Sequence, residues 1–259
     1  MITRSDLTDF MQSFIVSEKY KILYCPIAKN ACSSLKKMMV DIADLTESVK
    51  SQHPDVHILI DEFKLGIQLS EFNEDKKLQI LNDKGFFSFV VVREPYKRIV
   101  SAYVEKFVLH RLDERQWPHT APVFAAIQQV EPDNVDYNKG VSFKEFVDYL
   151  ITTDDGHLDT HWCPQVLYTD KVEFTSIFKM SSISKLADVI SSEVGRPIEI
   201  GRENQSSNNG IKSSAPLWEK YPSELECLDL NFESFFNIDI ESKLRERFKA
   251  DYSLYARAK

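Results

Sequence analysis

Two stretches of the chain carry the clearest pattern of apolar and polar positions. In the first, Lys21 to Ile27 is an apolar, β-rich run that ends at Pro26, which predicts a short buried strand. Leu35, Met38, Met39 and Ile42 then recur at helical spacing, predicting a helix over Ser33 to Ala43 with Ser33 or Ser34 as N-cap. The turn between them is Ala28-Lys29-Asn30-Ala31-Cys32. In the second stretch, Phe86 to Val92 is an unbroken β-branched and aromatic run, as expected of a central parallel strand covered on both faces. Pro95 blocks its continuation and suits a helix's first turn, and Ile99, Val100, Tyr103, Val104 and Phe107 form the helix face that follows.

The same patterns predict helices over Ser70 to Asn82, with Leu78 and Leu81 on one face, over Ser142 to Thr152 and over Ile183 to Val194. Val172 to Lys179 alternates as a strand, and Ser51 to Asp61 reads as a loop running into a short apolar segment. His110 to Gly140, with Pro118, Pro122 and Pro132, reads as an irregular insertion, and a substrate-covering flap is its natural use. Gly201 to Ser214 is the most polar segment. Strands alternating with helices give an α/β fold, a central parallel sheet flanked by helices, in a single domain over residues 1–259.

A strand that feeds a helix through a tight turn aims backbone N–H groups at the turn, and the helix dipole favours an anion there. Lys29 adds a cation, and Ser33 and Ser34 add hydroxyl donors. The turn contains no glycine, so it is not the nucleotide loop GxxxxGK-S/T. Arg93 closes the second strand and Ser101 follows eight residues later, a pair suited to clamping one more phosphate.

Composition narrows the function. Hydrophobic residues make up 43% and charged residues 28% of the 259 residues, ordinary values for a globular enzyme. A net charge of −8 argues against nucleic-acid binding. Any field that holds an anion must then be local, from Lys29, Lys36, Lys37, Arg93, Lys97 and Arg98. The four cysteines show neither metal spacing nor a disulfide framework, and no His, Asp or Glu spacing suggests a metal. The N-terminal segment reads as neither signal peptide nor transmembrane anchor, which leads to the expectation of a cytoplasmic protein.

CPIAKNACSSLKK resembles the CP-x-x-K-x-AC-S/T-x-x-K loop of the carbohydrate sulfotransferases of the HNK-1 and chondroitin type. VVREPYKRIVSAYVEKF resembles that family's VREP-x-x-R-x-VSAY-x-x-KF almost residue for residue. VSFKEFVDYLI, HWCPQ at His161 to Gln165 and the C-terminal LRERFKADYSLY follow in the family's order. The family's Golgi members carry a membrane anchor and stem, which the N-terminal segment here does not resemble, and a soluble, bacterial-like member is expected. The resemblance implies a P-loop-like three-layer fold and a sulfuryl donor, 3′-phosphoadenosine 5′-phosphosulfate (PAPS), used without a metal. It also implies a carbohydrate or glycolipid acceptor. By the same carry-over, Lys29, Asn30, Ala31, Cys32, Ser33 and Ser34 hold the 5′-phosphosulfate, and Arg93 and Ser101 the 3′-phosphate. Lys29 also acts catalytically, at the bridging oxygen. The acceptor hydroxyl needs a base, for which His57 is the first candidate and Glu62, Glu71 and His161 stay open. A P-loop-type kinase is the alternative, opposed by the missing GK-S/T and by the lack of a magnesium carboxylate.

Overall fold

The structure, a computed structural model, describes residues 1–49, 52–201, 215–225 and 227–259. The polar segment read at Gly201 to Ser214 lies outside them from Arg202 onward, as does Ser51 at the head of the loop read at Ser51 to Asp61.

Among the described residues, four strands form one sheet in the order β1 (Ile15–Ser17), β2 (Ile22–Cys25), β3 (Phe87–Val92), β4 (Ser176–Lys179). The pairs β2–β3 and β3–β4 are parallel, with Tyr24 opposite Phe89 and Val91 opposite Phe178. The edge strand β1 runs antiparallel to β2. It has three residues and no alternation to betray it, and it forms because the turn at Glu18–Lys21 folds it back on β2. The helices in chain order are α1 (Asp9–Gln12), α2 (Cys32–Ile42), α3 (Thr46–Val49), α4 (Val56–Glu62), α5 (Glu74–Asn82) and α6 (Pro95–Tyr103). They continue as α7 (Trp117–Gln128), α8 (Phe143–Thr152), α9 (Ile183–Val194), α10 (Ile238–Arg247) and α11 (Lys249–Arg257). This is the expected α/β class. No helix among the described residues is long and apolar enough to cross a membrane.

The chain divides into two compact units. The first comprises residues 1–93, the stretch that begins at Gln165, and the C-terminal residues from Leu254. It contains the whole sheet. Ile22, Tyr24, Phe89, Val91 and Phe178 share one sheet face and pack against Leu35, Met38, Met39 and Ile42 of α2, Leu59 and Ile60 of α4, and Leu186 and Ile190 of α9. Tyr24 stacks on Phe89 with ring centroids 5.0 Å apart. On the opposite face Cys25 meets the Tyr168 carbonyl, and Phe10 of α1 lies against the Tyr168 ring. Both faces are therefore covered, which is why β2 and β3 read as continuous apolar runs.

The helix expected over Ser70 to Asn82 is broken. A 3₁₀ turn, Leu69–Glu71, precedes α5, whose N-cap Asn73 accepts from Lys76 N at 2.9 Å. That cap starts a new helix in a different phase, so Ile80 is the residue α5 buries, while Leu78 and Leu81 stay half-exposed.

The second unit comprises Glu94–Pro164 and the stretch that ends at Ser253. Glu94 caps α6 through Tyr96 N and Lys97 N, and Pro95 takes the first turn as expected. The helix then widens into a π-turn over Val104–Leu109, which keeps Val104, Phe107 and Val108 inside and buries Lys106 with them. The core is aromatic: Tyr103, Phe107, Phe124, Phe143, Phe146, Trp162 and Phe235 are fully buried. Residues 110–140 are less irregular than their prolines suggested. They contain α7, in which Pro118 falls in the first turn and needs no N–H partner. Pro122 lies inside that helix and forgoes one backbone bond.

Candidate phosphate-binding site

The loop between β2 and α2 takes its shape from two residues in an unusual conformation. Lys29 has φ of +70° and Ala31 of +60°, and neither is glycine. Asn30 between them has no positive φ. Residues of alternating handedness turn successive N–H groups toward one side and form an anion-binding concavity. So the loop without glycine adopts the backbone that glycines would allow more cheaply, at about 1–3 kcal/mol for each strained residue. The N-cap is Ala31, with no side-chain cap, rather than Ser33 or Ser34. The left-handed Ala31 starts the helix early, and the serines become part of its first turn.

Asn30 is buried, and its Nδ2 donates to Val91 O at 3.0 Å and to Gln165 Oε1 at 2.7 Å. Gln165 Oε1 also accepts from Arg93 N at 3.0 Å, and its Nε2 donates to Arg93 O at 2.9 Å. Arg93 NH1 donates to Lys29 O at 3.2 Å. The structure thus brings Lys29, Asn30, Ala31, Cys32, Ser33, Ser34 and Arg93 together at the C-terminal ends of β2 and β3. Ser101 belongs to α6, in the second unit. Burial pushes the Cys32 thiol up to about 11, so it stays protonated beside the loop.

His57 lies at this loop. Its Nε2 is 2.9 Å from Ser33 Oγ, and its backbone N–H donates to Asp55, the N-cap of α4. The carboxylate candidates fare differently. Glu71 accepts from Gly66 N and Gln68 N at 2.8 and 2.7 Å, a capping role, and Glu62 is exposed at the end of α4.

The local cations need correction. Lys36 is buried and paired with Asp61 at 3.2 Å. Arg98 is 1% exposed and donates to the Cys163 and Thr160 carbonyls at 2.6 and 3.1 Å, so it anchors the HWCP turn. Lys97 sits over the Phe232 ring, 4.2 Å from its centroid. Helical spacing showed these as cations but could not show which face each would take.

His161 sits in the second unit with Asp159 and His119. Asp159 Oδ1 lies 2.6 Å from His161 Nδ1, and Oδ2 lies 2.8 Å from His119 Nδ1. Burial pushes His161 down to about 4, against the pull of Asp159, and the nearby Lys106 ammonium lowers it further. Burial also opposes ionisation of Asp159, yet its bonds to the two histidines outweigh that and hold it well below the usual carboxylate range. The donor atoms of His119, Asp159 and His161 lie within 4.8 Å, a grouping that could hold a metal and that sequence spacing did not reveal. Both carboxylate oxygens are already committed to imidazole nitrogens, and a buried ammonium stands nearby; neither feature favours a cation. Asp159, His119 and Gln165 carried no sequence signal beyond Gln165's place after HWCP.

The sulfotransferase family profile matches residues 12–256. Carbohydrate sulfotransferase 14 of Homo sapiens is 30% identical over 155 residues, covering 60% of this chain and 38% of the relative. Carbohydrate sulfotransferase 9 of Homo sapiens is 28% identical over 217 residues, 76% of this chain and 44% of the relative. Carbohydrate sulfotransferase 10 of Xenopus laevis is 28% identical over 160 residues, 61% of this chain and 43% of the relative. The matches therefore span less than half the length of each of these relatives. No solved structure matches the chain. With the family profile covering nearly all of the chain, from before β1 to within α11, the chain belongs to the sulfotransferase family.

Proposed function

We propose that the chain transfers the sulfuryl group of PAPS to a hydroxyl of a carbohydrate or glycolipid acceptor. The observation that carries this reading is the pair Lys29 and Ala31 in left-handed conformation, which shapes an anion cradle at the end of β2 within hydrogen-bonding reach of Arg93. The residues present fit the donor, since the cradle suits its 5′-phosphosulfate and a guanidinium suits its 3′-phosphate. The carbohydrate class rests on the relatives' names.

The donor supplies an activated sulfur, and the chain supplies charge and position. Backbone N–H groups from Asn30 to Ser34, with Ser33 Oγ, hold the 5′-phosphate; Arg93 holds the 3′-phosphate. The acceptor oxygen bonds to sulfur as the bond from sulfur to the bridging oxygen breaks, in line and through a loose transition state like that of phosphoryl transfer. Lys29 neutralises the charge that builds on the bridging oxygen, where preorganised electrostatics contribute most. His57 takes the acceptor proton through a ring nitrogen, and adenosine 3′,5′-bisphosphate departs. His57 is preferred over Glu62 and Glu71 because its imidazole alone of the three touches the loop.

Thermal-shift titration followed by transfer of ³⁵S tests the reading. Adenosine 3′,5′-bisphosphate is expected to stabilise the protein without magnesium, and ³⁵S from labelled PAPS to enter a member of a panel of glycans and glycolipids. Stabilisation by ATP with magnesium, and none by the bisphosphate, would replace this reading with a kinase.

A further inference from the structure

The phosphate loop holds two strained residues, and something must keep them so. We propose that Gln165 is a positioning residue that locks the loop in its anion-binding shape and joins it to the strand end bearing Arg93. The proposal rests on the phosphate-binding role given above to that loop and to Arg93.

Gln165 is fully buried, yet its amide faces polar groups. Its oxygen accepts from Asn30 Nδ2 and Arg93 N, and its nitrogen donates to Arg93 O. Neither amide can be reversed. Turning Gln165 over would set its NH₂ against two donors, and turning Asn30 over would set its oxygen against the Val91 and Gln165 acceptors. Asn30 accepts a cost for this arrangement, since its Oδ1 is buried with no hydrogen-bond partner among the described residues. An amide that gives up one bond to make two donated ones is fixed in direction. It therefore fixes the backbone on either side of it, at Lys29 and Ala31.

The Arg93 guanidinium closes the circuit by donating to Lys29 O. A path thus runs from Gln165 to Asn30, along the chain to Lys29, across to Arg93 and back to Gln165. A disturbance at Gln165 reaches both ends of the nucleotide. Ordinary core packing would predict a loss of stability alone.

The test compares the full chain with Gln165→Glu and Gln165→Leu, each measured well below its own melting temperature. Gln165→Glu keeps the side chain's shape and the two accepted bonds but, once ionised, loses the donated one, so it is measured across pH up to the plateau at high pH. Gln165→Leu loses all three and serves as a second variant if it folds. Calorimetric affinities for adenosine 3′,5′-bisphosphate and adenosine 5′-phosphate are read together with kcat and KM for PAPS. The expected result is a fall in bisphosphate affinity of roughly tenfold to a hundredfold, the scale of leaving buried donors and acceptors unpaired. The preference for bisphosphate over monophosphate shrinks and kcat falls as well. A Gln165→Glu protein that keeps wild-type affinity, preference and kcat overturns the proposal, even if its melting temperature drops. If the wild type itself does not bind the bisphosphate, the phosphate-binding reading fails first, and the two failures are distinguishable.

Discussion

Helix α4 and the turn before Gln165 each present a histidine to a hydroxyl or carboxylate partner, and the two are built on opposite terms. His57 is half-buried in the first turn of α4, with its Nε2 against Ser33 in the first turn of α2, next to the strained Lys29 and Ala31. His161 is held at Nδ1 by a carboxylate that a second histidine shares, and burial drives it to about 4. One ring faces a serine hydroxyl in the first turn of α2. The other is kept neutral as part of a fixed hydrogen-bond cluster. Residue type and motif membership did not separate them, whereas the partner of each ring did.

The largest expected effect tests that contrast directly. His57→Ala is expected to lower turnover by roughly 10²- to 10⁴-fold, the usual cost of losing a general base, with bisphosphate affinity retained. The acid limb of the wild-type kcat/KM profile is expected to vanish in the variant. His161→Gln, measured alongside, is expected to keep most of the turnover. If the two results are exchanged, the contrast is reversed and His161 is the base.

Lys29→Ala comes next. A contact made mainly in the transition state lowers kcat, whereas a uniform binding contact raises KM. We expect a kcat loss of roughly 10²- to 10³-fold, comparable to removal of one oxyanion donor, with a smaller effect on bisphosphate affinity. An unchanged kcat with raised KM would leave Lys29 a binding residue only.

Arg93→Ala is expected to weaken bisphosphate binding by about 2–4 kcal/mol, the usual cost of truncating one partner of a charge-assisted pair. Affinity for adenosine 5′-phosphate should change much less. Equal losses for both ligands would mean that Arg93 acts through the Lys29 carbonyl it touches rather than on the 3′-phosphate.

The smallest effect is on stability against pH. His161 has a folded value of about 4, below its ordinary 6.5, so the unfolded chain binds the extra proton first. Its contribution is fully present above pH 6.5 and is lost as pH falls from 6.5 toward 4. Asp159, also lowered, adds to the loss at still lower pH. Denaturant unfolding of the wild type across this window should show the decline, and His161→Gln should flatten it. An equal slope in both proteins would place the titrating group elsewhere.

The apolar runs at Leu23 and Val90 and the helix face from Leu35 to Ile42 were legible because burial on both sides of a sheet, or on one side of a helix, imposes a periodicity that sequence displays directly. Motif order also pointed to Lys29 and Arg93, which a hydrogen bond joins in the fold. The antiparallel edge strand, the phase of α5 and the helix inside residues 110–140 were not legible, since each depends on a local turn or cap rather than on periodicity. Which cations face inward was hidden as well: Arg98 reads as one more basic residue until the carbonyls of Thr160 and Cys163 appear beside it.

Sequence by itself determined the alternation of strands and helices, the place of the loop between β2 and α2, and the family to which the chain belongs. Tertiary structure alone decided the rest of the site. Gln165 lies 135 positions from Asn30 and 72 from Arg93, and only the parallel pairing of β2 with β3 brings those two ends close enough for one amide to bridge them. Hydrogen bonds act over about 3 Å regardless of chain separation, so a polar network is fixed by where strands end and leaves no periodic trace along the chain.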